Sequence, residues 1–600
     1  MQRHIFADHQ TLVVKSLRGL VASVPNLTLI PAARAIIDAE HDTSKVTLIC
    51  GGGAGHEPGS TGFVGRGFLT ASVVGDTFAS PSAKQVYTAM KALPSTEGTI
   101  LIITNYTGDN LHFGLAAQQA RANGTDNVAI LPVCDDVSVG RSKGALVGRR
   151  AMSGTILVCK ILGAASEASY SFNATLELGK AVTDGLLSIG CTLGHCHVPG
   201  RDNSKYGVIE DDVIEIGLGL HNEPGVFVVR PQPSAEDLIA RMLDLMLNQE
   251  DAERAFVPFQ VGDKVALQVN NMGGMSTLEM YAVVDEATRQ LEAHPLKPVI
   301  VRTYCGDFMT SLNAPGFSLT LLNISHTNRV HKASKGEAEI IALLDAPHAT
   351  SSWPSSTQYP APESLRSRSR EEKELLVKDD VRVTGSSGAE RDHAHVNPEI
   401  LRRSIRAGAQ AVYDSEPDLT KWDTIVGDGD CGETCAAGSK AIIEALDTGL
   451  GKDGDLVHTL REVTEIIDNN CGGTLGAIYS IFLAALTAEV RLIGSKRPVD
   501  ASFFGEAALR ALETLGQSTK ARVGHRTVMD ALIPFVEGLA APSNSDAEAL
   551  KEAISRCVAG GEGTKDLVAK LGRATYVGTD RGPLPPDPGA MSCVVFVKGM

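Results

Sequence analysis

The hydrophobic period changes character once along these 600 residues, and that change constrains the fold more than any other feature. Up to about residue 345, short apolar runs alternate with helical patterns. KVTLICGGG, GTILIITNYTGD, NVAILPV and GTILVCKILGA read as buried strands running into polar or Gly-rich loops, with SAKQVYTAMKAL and HFGLAAQQARAN as helices between them. Over about 1–190 this predicts a parallel, doubly wound α/β sheet with a ligand crevice at the strands' carboxyl ends. After the join TLGHCHVPGRDNS, a second α/β unit is expected over about 200–345, with strands in DDVIEIGLGL, KVALQVNNMGG, PVIVRTYCGD and FSLTLLNIS. Residues 346–395 are rich in Ser, Pro and alternating charge without hydrophobic period, and read as a linker. From about 396 to 600, PEILRRSIRAGAQAVYDS, VHTLREVTEIID, GAIYSIFLAALTAEVRLIG, FGEAALRALETLG, RTVMDALIPFVEGLA, AEALKEAISRCVAG and TKDLVAKLGRA carry apolar residues at helical spacing. An all-α bundle with its loops gathered at the ends is expected there.

Composition excludes several function classes. A formal charge of −16 leaves no basic stripe for nucleic acid. The eleven cysteines are scattered without a CxxC pair, which fits reduced cytosolic thiols rather than a disulfide framework. Cys191, His195, Cys196 and His197 are too densely spaced for tetrahedral zinc. The first twenty residues lack a secretory h-region, and no uninterrupted apolar run reaches bilayer-spanning length, so a cytoplasmic protein with no membrane partner is expected.

The densest chemistry lies in Asp423-Thr-Ile-Val-Gly-Asp428-Gly-Asp430, three carboxylates separated by turn-forming glycines. Ionised carboxylates this close persist only with cations among them, and an oxygen-only set suits Mg²⁺ shared with substrate phosphates. A solvated acidic turn capping the helix at AAGSKAIIEAL is the alternative. A calcium loop fails, because its fifth ligand would be Gly432 and its closing acid Ser439.

In the first half, GGGAGHEPGSTGFVGRG follows a strand, but it has neither Walker A nor dinucleotide-fingerprint spacing. Its His56 stands where an imidazole can do acid–base work, or merely satisfy loop carbonyls. Asp109 in NYTGD faces the same crevice or caps the next helix, and His221 in GLGLHNEPG is a candidate nucleophile toward a carbonyl carbon.

Taken together, GGGAGHEPG, NYTGD, HCHVPGR, LGLHNEPG, NNMGG and APGFSLTLL, followed by VGDGDCG, GGT, GRATYVG and DPGA, resemble the single-chain, ATP-dependent dihydroxyacetone kinases over nearly the whole chain. The resemblance implies an N-terminal α/β substrate domain of two subdomains and a C-terminal all-α eight-helix barrel that binds nucleotide. It implies a covalent hemiaminal between His221 and dihydroxyacetone, activation of the terminal hydroxyl by His56 and Asp109, and substrate contacts at Gly53 and Thr104. Asp423, Asp428 and Asp430 would hold two Mg²⁺ ions on the ATP phosphates. Gly432, Thr434, Gly472, Gly473, Thr474, Arg573, Asp587 and Gly589 would surround the nucleotide, and the chain would form a homodimer. Glyceraldehyde or erythrulose are implied as further acceptors, and an Mn²⁺-dependent FAD-cyclising lyase or a non-catalytic regulator as alternatives. Three positions depart from the family pattern: Thr104 stands where lysine is usual, Leu475 where serine is, and His525 where aspartate is frequent.

Overall fold

The computed structural model describes residues 4–6, 9–200, 209–354, 394–427, 429–494, 497–570 and 584–600. It divides into two compact units, Met1–Leu376 and Val377–Met600.

The first unit holds two six-stranded sheets. In one, β1 (Leu27–Ile30), β2 (Ala35–Asp38), β3 (Thr47–Ala54), β4 (Ala71–Thr77), β5 (Thr99–Thr104) and β6 (Val128–Val133) lie in the order β1-β2-β4-β3-β5-β6. Strands β3 to β6 are parallel, as expected, while β1 and β2 add an antiparallel edge. In the other, β7 (Leu186–Thr192), β8 (Ile214–Ile216), β9 (Phe227–Val229), β10 (Lys264–Asn271), β11 (Val299–Gly306) and β12 (Gly316–Asn323) run β11-β10-β12-β7-β8-β9. Among the described strands only β10 and β11 pair in parallel there.

The helices are α1 (His9–Ser23), α2 (Ala83–Ala92), α3 (Thr107–Ala122), α4 (Gly154–Glu167), α5 (Phe172–Asp184), α6 (Ala235–Leu247), α7 (Thr277–Ala293), α8 (Ile324–Val330) and α9 (Glu337–Asp345). Helices α2 and α3 cover one face of the first sheet, and α6 and α7 the far face of the second. Between the sheets lies α4, buried from Gly154 to Ser166 and touching β3 and β5 on one side, β7 and β12 on the other. That position corrects the reading of GTILVCKILGA as a strand. A helix enclosed by sheets on both sides needs no polar face, so its period disappears into a continuous apolar run.

The assigned linker also shrinks. Trp353 is 5% exposed and packs on Tyr304, Phe68 and Phe308, so residues 346–354 run along the first unit and Trp353 anchors them in its core. Ala394 is buried in the second unit, and residues 355–393 lie outside the described residues.

The second unit is all-α: α10 (Pro398–Asp414), α11 (Glu416–Val426), α12 (Cys431–Thr448), α13 (Leu456–Asn470), α14 (Gly473–Ile493), α15 (Ala501–Ser518), α16 (Met529–Ala540), α17 (Asp546–Gly563) and α18 (Pro588–Gly599). Eight of these close a ring, each packing on the next from α12 through α18, with α10 touching both α18 and α12. The short α11 lies outside that ring, against α12 and α18. TKDLVAKLGRA is not a helix where described: Thr564–Asp566 forms one 3-10 turn and Leu567 to Lys570 has no regular structure. Among the described helices, α14 is long and apolar enough to cross a membrane, contrary to the reading that no segment is; here it packs between α13 and α15.

Candidate active site

In the first unit a cavity of about 30 Å³ opens at the carboxyl ends of β3 and β5. Since about 10–15 Å³ on this measure holds one water, the space suits a ligand of a few heavy atoms. Its floor is the end of β3. A side chain at Gly51 would meet the Val73 carbonyl oxygen at 2.2 Å, and one at Gly53 the Ala79 nitrogen at 2.7 Å. At Gly52 an added carbon would protrude toward Thr104 Oγ1 (3.7 Å) and Asp109 Oδ2 (3.9 Å), so bare backbone borders the cavity here.

His56 follows this strand and is 8% exposed, its ring stacked on Phe78 with centroids 5.2 Å apart. Its Nδ1 donates to the Thr310 carbonyl at 2.7 Å, and a carbonyl can only accept, so Nε2 carries the lone pair. Burial, reinforced by the neighbouring His221, pulls its pKa down to about 3, and the ring is neutral at ordinary pH. His221 Nε2 lies 3.1 Å from that of His56. The His221 ring sits edge-on to Tyr106 (4.9 Å) and Phe78 (5.1 Å). Its loop is locked by Asn222, in the left-handed region at φ 64, whose amide accepts from Cys196 N–H and donates to the Cys196 carbonyl. On the other side, Glu223 accepts from both the His221 backbone N–H (2.9 Å) and ring Nδ1 (3.2 Å).

Asp109 sits in the first turn of α3 without capping it. Its Oδ2 accepts from Thr104 Oγ1 at 2.8 Å, while Oδ1 is buried with no partner. Burial raises its carboxyl, against the lowering effect of the Ser80 and Thr104 hydroxyls. Among the described residues no cluster including Cys191, His195, Cys196 and His197 has metal-binding geometry.

In the second unit Asp423 and Asp430 flank one turn, but not as the sequence suggested. Asp423 belongs to the last turn of α11, 8% exposed, and its Oδ2 accepts from the N–H groups of Gly429 (3.0 Å) and Cys431 (3.1 Å). Asp430 precedes α12 without a side-chain capping bond. Neither is ion-paired among the described residues, which leaves hard oxygen donors suited to Mg²⁺. Asp428 and Arg573 lie outside the described residues.

The first turns of four ring helices gather near this point. Cys471 Sγ, just before α14, donates to the Thr434 carbonyl of α12 at 3.5 Å. A carbon added at Gly589 of α18 would lie 3.4 Å from Leu475 of α14 and 3.8 Å from Val528 at α16. Gly472, Gly473 and Thr474 are exposed, and nothing lies within 4 Å of a carbon added at either glycine. Converging helix N-termini with open backbone N–H groups form a site for anionic oxygen. Asp587 caps α18 through Ala590 N–H at 2.8 Å, and burial pushes its carboxyl up to about 6. Gly432 is buried beneath α11, where an added carbon would strike Thr420 Oγ1 at 2.2 Å, so packing accounts for that glycine.

Residues 18–352 match the Dak1 domain and residues 425–600 the DAK2 domain. The dihydroxyacetone kinase of Pichia angusta is 39% identical, the alignment covering 98% of this chain and 97% of that one. The chain belongs to the dihydroxyacetone kinase family. The human triokinase/FMN cyclase is 33% identical over 98% of this chain and 96% of its own. The C. freundii dihydroxyacetone kinase in complex with AMP-PNP and Mg²⁺ is 29% identical, with a TM-score of 0.62 over 100% of this chain and 99% of that one.

The family departures have local explanations. Thr104 is the hydroxyl that holds Asp109. Leu475 is a half-buried hydrophobe packed with the cluster around Val412 and Leu419. His525 accepts from Arg522 N–H through Nδ1, while Asp530 organises the turn by accepting from Gly524 and Thr527 N–H. Arg526, 1% exposed, ties the turn to the Thr564 and Pro585 carbonyls ahead of α18. Sequence reasoning missed Glu223, Thr310 and Tyr106. Only the spacing of Glu223, two residues beyond His221, offered a signal.

Proposed function

We propose that this chain is an ATP-dependent dihydroxyacetone kinase. The observation that carries the reading is the pair of imidazole Nε2 atoms 3.1 Å apart in a small cavity beside the unpartnered Oδ1 of Asp109. His221 Nε2 adds to the carbonyl carbon of dihydroxyacetone, an N–C bond forms, and the carbonyl pair moves to oxygen, which takes a proton from water. Glu223 beside Nδ1 offsets the charge the ring gains. The tethered triose turns a terminal hydroxyl toward His56 and Asp109, and positioning converts a weakly held substrate into an oriented one. As that oxygen attacks the terminal phosphorus of ATP, its proton passes to His56 or Asp109, the bond to the β-phosphate oxygen breaks and ADP leaves. Glycerol has no carbonyl and forms no such bond.

Asp423 and Asp430, together with Asp428, would hold Mg²⁺, as two ions, which when bound neutralises charge on the ATP phosphates. The open N-termini of α14 and α18, with Gly472, Gly473, Thr474 and Gly589, would receive phosphate oxygens and the adjoining nucleotide. We place the acceptor domain at residues 1–354 and the nucleotide domain at 394–600, in a cytoplasmic homodimer. The dimer is tested by equilibrium sedimentation: twice the chain mass is expected, and a single chain mass would overturn it.

The testing experiment is ADP release from Mg·ATP with dihydroxyacetone, glyceraldehyde, erythrulose or glycerol. Release with the carbonyl compounds and none with glycerol is expected. The human relative's name favours one second reading, FMN cyclase activity, and cyclic product from FAD with Mn²⁺, without triose-dependent ADP release, would replace the kinase reading.

A further inference from the structure

An imidazole adds to a carbonyl only through a nitrogen bearing a lone pair, and the partner of the other nitrogen decides which one that is. One carboxylate makes that decision for His221. Glu223 Oε2 accepts the His221 backbone N–H at 2.9 Å, and Oε1 lies 3.2 Å from Nδ1. The backbone group can only donate, so it pins the carboxylate, and the second oxygen is left facing the ring.

The carboxylate is seated from behind. Gly219 donates its backbone N–H to the Glu223 carbonyl at 3.0 Å. A side chain at Gly219 would lie 2.0 Å from Glu223 Oε2 and 2.6 Å from Arg150 Nη1, so the absence of one lets guanidinium and carboxylate approach. Arg150 is itself fixed by Asp136 at 2.8 Å and the Gly217 carbonyl at 2.9 Å. Although burial works against ionisation, the hydrogen bonds from His221 hold Glu223 at about 2.

Resting on the reading of His221 as the nucleophile, we propose that Glu223 is a positioning residue that holds the Nδ1–H tautomer of His221 and aims its Nε2 lone pair into the cavity. The Thr310 carbonyl does the same for His56, so two lone pairs face one another at 3.1 Å where a substrate hydroxyl or carbonyl carbon is to enter.

Glu223→Gln makes a distinct prediction. The single amide oxygen must stay on the His221 backbone N–H, and the NH₂ then faces Nδ1. Nδ1 must become the acceptor, the proton moves to Nε2, and Nε2–H donates to His56 Nε2. The ring is then well satisfied and not nucleophilic.

The test is ¹⁵N NMR of the full chain labelled at histidine, with His221→Ala assigning the signal, alongside steady-state kinetics. The expected results are Nδ1–H in the native chain, Nε2–H in Glu223→Gln, and a fall of about 100-fold in kcat/KM for dihydroxyacetone with the KM for ATP unchanged. Glu223→Asp, which keeps an acceptor-only group, recovers part of the activity and the native tautomer. A native His221 protonated at Nε2 would overturn the proposal even if the variants fail to fold, and so would a Glu223→Gln chain with native tautomer and activity. Absence of triose phosphorylation in the native chain would defeat the kinase reading alone, with the tautomer still deciding the role of Glu223.

Discussion

The acceptor cavity and the nucleotide end of the helical ring are finished to different degrees. In the cavity, His56 and Asp109 are 8% and 4% exposed, and the Nδ1 atoms of both histidines face acceptors. At the ring, Gly472 to Thr474 stand exposed and Asp430 leaves its helix uncapped. The contrast follows the chemistry. On the proposed reading, covalent capture of a small ketone would need groups held in register beforehand, whereas a nucleotide that must enter and leave can bring its own cation to complete the site.

Ways to break this contrast run from large effects to small. Replacing His221 with Ala would remove the proposed tether, and kcat/KM for dihydroxyacetone should fall at least about 10³-fold. ATP binding by calorimetry should be unchanged. Asp430→Asn should give the mirror image: roughly 10²-fold lower kcat, a higher Mg²⁺ requirement, and undiminished triose binding.

Acid should separate the halves by sign. His56 has a folded pKa near 3 against 6.5 unfolded, so the unfolded chain takes up the proton first. Stability of the first unit is therefore fully present above about pH 6.5 and lost as pH falls toward 3, by about 1.4 kcal/mol per unit. Asp587 acts oppositely: its carboxyl, about 6 when folded against 3.8, favours the folded second unit below about pH 4. That contribution is lost as pH rises through 6 and amounts to at most about 3 kcal/mol. Urea midpoints of His56→Asn and Asp587→Asn across pH 4–8 check both signs, and equal pH slopes in variant and native chains would erase the distinction. Smallest is Thr104→Lys. A new cation beside Asp109 should lower the acceptor KM about three- to tenfold, from a charge-assisted bond of about 1.5 kcal/mol or less realised. An unchanged KM would remove the missing lysine from consideration.

The parts of the molecule legible in the sequence are those with one polar and one apolar side. The ring helices α10 and α13 face solvent on one flank and kept their period, and β3 and β5 ended in glycines that marked the crevice. Helix α4 has no solvent face and was taken for a strand. Helix α18 is apolar along PGAMSCVVFV and gave no period at all. Asp423 looked like part of a loop because Gly427 and Gly429 follow it, yet DLTKWDTIV is long enough to close the last turn of α11. His56 and Asp109 were expected at one crevice because each follows a strand, His221 joined them only through the family resemblance, and the fold brings all three to one cavity. Glu223 escaped notice because its one signal, a spacing of two residues from His221, does not by itself show that its carboxylate turns back onto that residue's backbone N–H and ring.

The central claim is that His221 bonds to the ketone rather than merely lying beside it. The most direct measurement is ¹³C NMR of the full chain, labelled with ¹⁵N at histidine and mixed with dihydroxyacetone labelled at its carbonyl carbon. The expected result is a tetrahedral carbon showing one-bond coupling to a histidine nitrogen and vanishing in His221→Ala. A carbon that remains a ketone at saturating concentration, with no coupling to nitrogen, would contradict it.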